Sequence, residues 1–404
     1  MTDERGVEAS FALDCGLSAA SQMGLKISMR HYGGEIRTTV CELNDDHGRT
    51  WSGYGKGIGL QSDVSALFES IEHMSHALSL QSDKITTRPF NRNAADAVLL
   101  DGSPPFHRFA IDGINLSRLQ FHNQQGTMYV PAFLMHTRFS SKLPKEAAFI
   151  ARTSINRYST NSGTASGIKK ADAVLHGIFE VIERDALSIL LLKTCFTENP
   201  DPLRKIIKES LPSEVTDILH CVCSESSSTI DLFDMTSDLG VPAVLARLTK
   251  KTGESYFGYG ASIWLDNAII RSTLEALQGF HIFNFEKRRL SVSPIACTPS
   301  LSPYSRCLLE YGIFKPRGGE VLLTYAELLE KYPITEQPLA LSDAIQISKD
   351  LLRVNGIDIY ERLICESNDY VVCQVYSPQL ERFYLATSGV MVAPGYRGAS
   401  ALDW

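Results

Sequence analysis

Residues 173–192 read AVLHGIFEVIERDALSILLL, and this stretch decides the fold. It is apolar almost all round a helix, so a helix formed here must be buried. It nevertheless contains Glu180, Glu183, Arg184 and Asp185. Burying an unpaired carboxylate is costly, so these groups must meet cations, either side chains or metal ions. The stretch therefore predicts a buried acidic helix.

Two further helical segments repeat this pattern. Each of the three places two oxygen-bearing side chains at positions i and i+3 among apolar neighbours, which puts the pair on one helix face. Six convergent oxygen ligands suit a hard cation such as Mg²⁺, which takes carboxylates together with phosphate oxygens. The three phrases are Leu67-Phe68-Glu69-Ser70-Ile71-Glu72, Ile178-Phe179-Glu180-Val181-Ile182-Glu183 and Thr273-Leu274-Glu275-Ala276-Leu277-Gln278.

Two other interpretations of the acidic helices stay open at this point. One is a purely structural network in which Glu183 and Asp185 pair with Arg184 and with an arginine of the last acidic helix, Arg271. The other is a di-iron carboxylate site. Such sites normally contain Glu-x-x-His, in which the histidine follows the glutamate by three positions. Here His73 follows Glu69 by four positions.

Composition and charge exclude several classes of protein. The chain has 404 residues, of which 44% are apolar and 21% charged, as in globular proteins. The net charge of −7 argues against a protein whose main function is to bind nucleic acid. No apolar run approaches the roughly 18 residues of a membrane helix, and no secretory signal is visible. Nine scattered cysteines indicate reduced thiols. We expect a soluble, cytoplasmic protein.

Helices and strands are interleaved along the chain, which favours an α+β (mixed α/β) fold forming one compact catalytic unit. We divide it into a strand-rich lead-in at 1–50, a catalytic domain at 51–398 and a short tail at 399–404. The glycine-rich segment 53–59 is predicted to be either a tight turn or a loop that contacts phosphate or peptide. It matches neither the P-loop motif nor G-x-G-x-x-G, so a P-loop or Rossmann fold is not expected. Further predictions are a helix opening 199–248 and strands at 127–134 and 383–392.

Several of these segments resemble the YcaO family. The similarity runs over roughly residues 50–398, and its central signature is the most specific part. The flanking matches are Gly55-Lys56-Gly57, the phrase at 234–242, the helix with Glu275 and Gln278, and the segment 377–398. The central signature is carried by Asn161-Ser162-Gly163-Thr164-Ala165-Ser166-Gly167, Asp172-Ala173 and Glu180-Val181-Ile182-Glu183-Arg184-Asp185-Ala186.

The resemblance implies a fold and a chemistry. YcaO proteins have a fold of their own, here with sheets packed by buried acidic helices, and they bind ATP and Mg²⁺. Characterised members phosphorylate a backbone amide oxygen of a ribosomally made peptide, and a neighbouring Cys, Ser or Thr side chain then closes an azoline ring. In relatives, external sulfide gives a thioamide, or an amine gives an amidine. The products include antibiotics and bacteriocins.

The resemblance also assigns site residues by position, although none of them as catalytic. It places the magnesium ligands on the first two acidic pairs. The nucleotide and magnesium ligands it implies are Ser65, Glu69, Glu72, Asp172, Glu180, Glu183, Arg184 and Gln278, with the metal on Glu69, Glu72, Glu180 and Glu183.

The chain departs from the family pattern at identifiable positions. Ile168 stands where the family usually has Asn, and Asp172 where it usually has Glu. No arginine directly follows Gln278, although Arg288 or Arg289 could substitute for it. Azoline-forming members often end in a proline-rich tail near the active site, which this sequence lacks. A non-catalytic scaffold that binds a peptide or an active paralogue is therefore an alternative to the enzyme.

The resemblance implies partners as well. Stand-alone members rely on another protein to capture the leader of the precursor peptide. We expect an E1-like or similar leader-binding partner, together with the precursor peptide itself. A flavin-dependent dehydrogenase that oxidises azoline to azole is a further candidate. No nucleic-acid or membrane partner is expected.

Overall fold

The computed structural model describes residues 6–80, 85–90, 113–137, 139–285, 316, 318–332 and 339–402. These residues form helices and strands that alternate along the chain, as the sequence predicts. Three short 3-10 helices are added at Ile155–Tyr158, Lys208–Ser210 and Phe383–Ser388. The α-helices are α1 (Ala9–Gln22), α2 (Leu60–Ser79), α3 (Ala132–Met135), α4 (Pro144–Thr153), α5 (Lys170–Cys195), α6 (Ser213–Ser226), α7 (Leu265–Phe285), α8 (Tyr325–Lys331), α9 (Leu341–Val354) and α10 (Tyr396–Ala401).

The strands of the described residues form three sheets. The first is antiparallel in the order β1-β2-β3. The second has the order β11-β10-β9-β8-β12 and is antiparallel except for the parallel pair β8 and β12. The third has the order β4-β5-β13-β14-β7, with β6 paired to β5. The strands are β1 (Lys26–Gly33), β2 (Ile36–Asn44), β3 (Thr50–Ile58), β4 (Thr86–Pro89), β5 (Asn115–His122), β6 (Thr127–Pro131), β7 (Thr164–Gly167), β8 (Leu203–Ile206), β9 (Ser228–Asp234), β10 (Ala243–Lys250), β11 (Ser255–Ala261), β12 (Glu320–Leu323), β13 (Tyr360–Glu366) and β14 (Val371–Tyr376).

Helix α5 is the buried acidic helix that the sequence predicts. It packs against β7 and β14 of the third sheet and against β11 of the second. Its apolar side chains, such as Ile178 and Phe179, belong to the largest hydrophobic core and are almost fully buried. The helix begins with a capping box, in which the backbone N–H of Lys169 donates to Asp172 at 3.0 Å. The fold therefore fixes the charged residues of α5 between two sheets.

Glycines let the other two acidic helices lie directly on their strands. A methyl group at Gly55 of β3 would come within 1.9 Å of the carbonyl oxygen of Ser62 in α2. A methyl group at Gly258 of β11 would come within 2.1 Å of the carbonyl oxygen of Ser272 in α7. A glycine inside a strand often marks such a close approach of another backbone. These glycines thus determine how closely α2 approaches β3 and how closely α7 approaches β11.

The glycine-rich segment 53–59 is therefore mostly strand, and its prediction as a turn is wrong. Residues up to Ile58 pair with β2 throughout. The repeated glycines allow a helix to pack closely on the strand and do not reverse the chain. A glycine-rich composition therefore did not indicate a turn here. The chain turns only at Gly59, whose φ of 55° lies in the left-handed region that favours glycine.

Three other local predictions are corrected, and the description of the lead-in is extended. Segment 383–392 is not a strand but begins with the 3-10 helix, and Phe383 packs edge-on against Phe196 of the core. The strand predicted at 127–134 ends at Pro131, where α3 begins. Segment 199–248 opens with β8 and not with a helix. The lead-in also contains helix α1, whose face of Ala12, Cys15, Ala19 and Ala20 is buried.

The chain ends are described in part. Residues 399–401 complete α10, so the predicted tail begins inside a helix. The helix predicted to reach 288 is described to Phe285, and Arg288 and Arg289 lie outside the described residues. None of the helices in the described part is both long and apolar enough to cross a membrane.

Candidate active site

The three acidic helices α2, α5 and α7 converge on one cavity of about 610 Å³. Residues of β3, of β7, of the loop before β7 and of α6 complete its wall. All six oxygen-bearing side chains predicted from the i, i+3 pattern line it, and so do Ser65 and Arg184. Those six are Glu69, Glu72, Glu180, Glu183, Glu275 and Gln278.

Asp172 is the one predicted site residue that does not line this cavity. It lies in a small adjoining cavity of about 40 Å³, together with Ile168. Phe68, Ser166 and His176 line both cavities, so the two are neighbours. Since one oxygen of Asp172 caps α5, its assignment as a nucleotide or metal ligand stays a prediction.

The substitution at Ile168 also falls outside the main cavity. Ile168 packs against a small apolar cluster that contains Ala12 of α1 and Val64 and Phe68 of α2. Its side chain therefore fills space beneath the N-terminal helix. The oxygen ligands of the main cavity come from other positions.

Backbone amides orient two of the glutamates. The N–H of Gly163 donates to Oε2 of Glu180 at 3.1 Å, and the N–H of Tyr54 donates to Oε2 of Glu69 at 3.0 Å. Oε1 of Glu180 then faces Nη2 of Arg184 at 3.9 Å. Each carboxylate is held through one oxygen, which leaves the other to interact in the cavity.

The cations of the cavity come from three elements. Nζ of Lys56, on β3, pairs with Oε2 of Glu275 at 2.5 Å. Nη1 of Arg184 lies 3.8 Å from Oε1 of Glu183. Nη1 of Arg271, on α7, contacts Nδ1 of His176 at 3.2 Å. Among the described lining residues these three Lys and Arg side chains face five carboxylates, so the cavity carries an excess of negative charge.

Burial shifts the protonation of the glutamates. Burial raises the pKa of Glu69 and of Glu180, and it raises that of Glu183 to about 7. Burial acts the same way on Glu275, but the charges of Lys56 and Arg184 outweigh it and lower the pKa of Glu275. Burial thus favours the neutral form of Glu69, Glu180 and Glu183, and the cations near them do not fully offset it.

This shift predicts a pH dependence of stability in the absence of Mg²⁺. Because the folded-state pKa of Glu183 lies above its ordinary value of 4.5, the protonated carboxyl stabilises the fold at low pH. That contribution is lost as the pH rises through about 7. Relative to Glu183→Gln, the wild type should lose roughly 1–3 kcal/mol between about pH 5 and pH 8. Urea unfolding in EDTA measures this difference, and parallel pH profiles of the two proteins would contradict it.

The donor set fits Mg²⁺ together with a nucleotide better than a metal bound by protein alone. No three His, Cys, Asp or Glu side chains of the described residues are grouped closely enough to hold a metal ion. The glutamates surround the cavity instead. Mg²⁺ commonly binds one or two carboxylates and completes its shell with phosphate oxygens and water. Glu69, Glu72, Glu180 and Glu183 would be the protein ligands in such an arrangement.

The cavity also offers donors that suit phosphate. Nε of Arg184 and Oγ1 of Thr164 are buried and have no hydrogen-bond partner in the described part of the chain. A buried donor left unpaired costs free energy, which a bound oxygen would recover. Gln278 lies nearby and donates from Nε2 to the carbonyl oxygen of Tyr54 at 2.5 Å.

Asp185 belongs to a separate network on another face of α5, so the structural pairing predicted for it is wrong. Its Oδ1 pairs with Nε of Arg397, on α10, at 2.7 Å and accepts from the N–H of Glu381 at 2.9 Å. Arg397 also lines a second cavity of about 660 Å³, with Arg204 and Lys331. Helical periodicity separates position 185 from 180, 183 and 184, which could have indicated this.

Some lining residues escaped the sequence analysis. Thr164 belongs to the segment that resembles the central YcaO signature but is not among the predicted ligands, and His176 precedes Glu180 by one helical turn. That i−4 spacing was a usable signal. No sequence signal indicates that Tyr54 contributes backbone atoms to the site, because this contribution depends on how β3 packs against α2 and α7.

The family model described as YcaO cyclodehydratase, ATP- and Mg²⁺-binding, matches residues 54–381. The chain therefore belongs to the YcaO family, whose cofactors are ATP and Mg²⁺. An uncharacterised protein of Methanothermobacter thermautotrophicus is 26% identical over 231 residues, or 55% of this chain. The chain spans 20% and 56% of the length of two curated relatives that it matches.

Solved structures agree on the fold. YcaO from Methanopyrus kandleri bound with AMPPCP and Mg²⁺ superposes with a TM-score of 0.68 at 19% identity, covering 96% of both chains. A chain of the E. coli microcin synthetase McbBCD complex with pro-MccB17 bound gives a TM-score of 0.56 at 16% identity, covering 89% of this chain and 88% of that one. At these identities the likeness establishes the YcaO-type fold.

Proposed function

We propose that this protein uses ATP and Mg²⁺ to activate backbone amides of a ribosomally made precursor peptide. The observation that carries the proposal is the cavity in which three acidic helices meet, in a chain of an ATP- and Mg²⁺-binding family. A metal-bound polyphosphate would suit this cavity, because the protein cations do not fully offset the buried glutamates. In addition, Nε of Arg184 has no hydrogen-bond partner among the described residues. Metal ions and arginines stabilise phosphoryl transfer in other enzymes by positioning and charge.

The proposed chemistry has two steps. In the first, the amide oxygen attacks the γ-phosphorus of ATP, the bond to the bridging oxygen breaks and ADP leaves. In the second, a Cys, Ser or Thr side chain of the peptide attacks the amide carbon and phosphate leaves. The side-chain and amide protons are released, and the peptide loses one water overall to give an azoline. Arg184 would contact the transferred phosphoryl group.

A second candidate is thioamide or amidine formation by the same activation. It is favoured by the position of α10, which packs against α5 through the Arg397–Asp185 pair. No residue after Gln278 lines the main cavity among those described. The described residues of α10 therefore lie away from this cavity. An external sulfide or amine would replace the peptide side chain as nucleophile.

We further propose that the enzyme acts with a leader-binding partner, of the E1-like or a similar kind. The solved microcin synthetase, a complex of several proteins with pro-MccB17 bound, supports this in general terms. A flavin-dependent dehydrogenase acting on the azoline is the additional partner we propose. The non-catalytic scaffold differs from all of these because it predicts no Mg²⁺-dependent ATP binding.

Mass spectrometry of a precursor peptide distinguishes the candidates. A candidate precursor peptide is incubated with protein, partner, ATP and Mg²⁺, with and without sulfide. Loss of one water that is independent of sulfide is the expected result and supports the azoline. Exchange of oxygen for sulfur would favour the thioamide. An unmodified peptide together with absent Mg-ATP binding would support the scaffold and contradict the proposal.

A further inference from the structure

The ring of Tyr384 lies beside the guanidinium group of Arg184. Tyr384 is part of the 3-10 helix Phe383–Ser388, which packs against α5. Its ring centroid is 5.4 Å from Cζ of Arg184, within the range of a cation–π contact. The carboxylates of Glu180 and Glu183 stand 3.8 Å or more from the guanidinium nitrogens, which is too long for hydrogen bonds. The aromatic face therefore supports the orientation of the guanidinium plane.

The phenol group of Tyr384 fixes the ring to the loop before β7. Its oxygen lies 2.5 Å from Oγ1 of Thr160 and 2.8 Å from Oγ of Ser162. Gly163, the next residue of that loop, donates its N–H to Glu180. Tyr384 thus contacts Arg184 directly and reaches Glu180 through the loop. These two side chains lie one turn apart on α5.

The backbone of Tyr384 is held on the same helix. Its N–H donates to Oγ of Ser188 at 2.8 Å, and Oγ of Ser188 donates to the carbonyl oxygen of Arg184 at 2.7 Å. The hydroxyl of Ser188 therefore connects the backbone of Tyr384 with that of Arg184. Tyr384 is not among the residues that line the main cavity. Because it contacts Arg184 directly and Glu180 only through the loop, its influence on a ligand is indirect.

We propose that Tyr384 is a positioning residue that orients Arg184 toward the phosphate groups of a bound nucleotide. This inference rests on the proposed function. Arginine binds phosphate through a planar fork, so the direction of the plane matters. A lysine at the same position would act as a point charge and would depend far less on the ring.

The test is a cycle of variants whose Mg-ATP dissociation constants are measured by calorimetry on the full chain. Tyr384→Leu removes the ring and should weaken binding about tenfold. Tyr384→Phe keeps the ring and should stay within about threefold of the wild type. In an Arg184→Lys background, Tyr384→Leu should change affinity by less than about twofold. Tyr332→Phe is the matched control, because Tyr332 is buried and donates to Asp234 at 2.9 Å, away from the cavity.

Two results with the leucine variant would overturn the proposal. One is a tenfold loss on Tyr384→Leu that persists in the Arg184→Lys background, since that would be a general structural effect. The other is an affinity of Tyr384→Leu equal to that of the wild type. If the leucine variant does not fold, the Mg-ATP affinity of Tyr384→Phe is the test. An affinity of this variant more than tenfold below that of the wild type would also contradict the role of the ring. A wild type that does not bind Mg-ATP would refute the proposed function itself.

Discussion

Glu183→Gln is expected to weaken Mg²⁺-dependent ATP binding by about two orders of magnitude or more. Removing an outer partner of a metal ligand commonly costs 10- to 100-fold in affinity, and removing a ligand costs at least as much. Glu183 is buried at the wall of the cavity, and its charge is only partly offset by Arg184. The neutral amide keeps the shape of the side chain and removes the charge that Mg²⁺ requires. Calorimetric titration with ATP in the presence of Mg²⁺ measures the loss.

The same substitution should stabilise the metal-free protein above about pH 7, because it removes a buried charge. Loss of binding together with increased stability separates a functional carboxylate from a structural one. Glu330→Gln, at an exposed position of α8, is the matched control and should bind Mg-ATP like the wild type. Glu183→Gln protein that binds Mg-ATP normally would show that the metal is not held at this position.

Gly55→Ala is expected to have the largest effect on stability. A methyl group there would meet the Ser62 carbonyl oxygen at 1.9 Å and the Ala66 N–H at 2.4 Å. Both are backbone atoms of α2, so the helix must move away from β3. Overpacking of this kind typically costs 1–3 kcal/mol and sometimes more, and we expect about 3 kcal/mol. Because α2 carries Glu69 and Glu72, Mg-ATP affinity should fall as well.

Gly126→Ala is the control for this prediction. No atom lies within 4 Å of a methyl group built at Gly126, which follows β5 in a turn. Its free energy of unfolding should stay within about 0.5 kcal/mol of the wild type. Urea unfolding of both variants, followed by circular dichroism, gives the comparison. Equal stabilities for the two variants would mean that α2 does not pack on β3 as described.

The parts of the site that depend on helical periodicity could be predicted from the sequence. Acidic pairs at i and i+3 inside apolar helices are costly unless they share a purpose, and all three pairs line one cavity. The prediction failed where one residue type serves two uses. Glycine at position 55 indicated a turn, although it serves close packing. Asp172, which the family resemblance assigns by position to the nucleotide and magnesium site, also caps α5, and its role as a ligand stays a prediction.

Contacts between distant segments could not be predicted. Tyr384 meets Arg184 across 200 residues of sequence, and nothing local to either residue indicates the contact. The pairing of Asp185 with Arg397 is of the same kind. Both depend on where the chain returns to α5 after β14. Sequence patterns describe the faces of single elements, whereas these contacts require the fold.

The most direct test of the account is a crystal structure of the full chain with AMPPCP and Mg²⁺. The account predicts the nucleotide in the cavity between α2, α5 and α7, with Arg184 in contact with a phosphate oxygen. Mg²⁺ should bridge phosphate oxygens and at least two of the four glutamates on α2 and α5. Nucleotide bound instead in the second cavity, beside Arg204 and Lys331, would contradict it. So would crystals grown at saturating nucleotide in which the acidic cavity holds neither nucleotide nor metal.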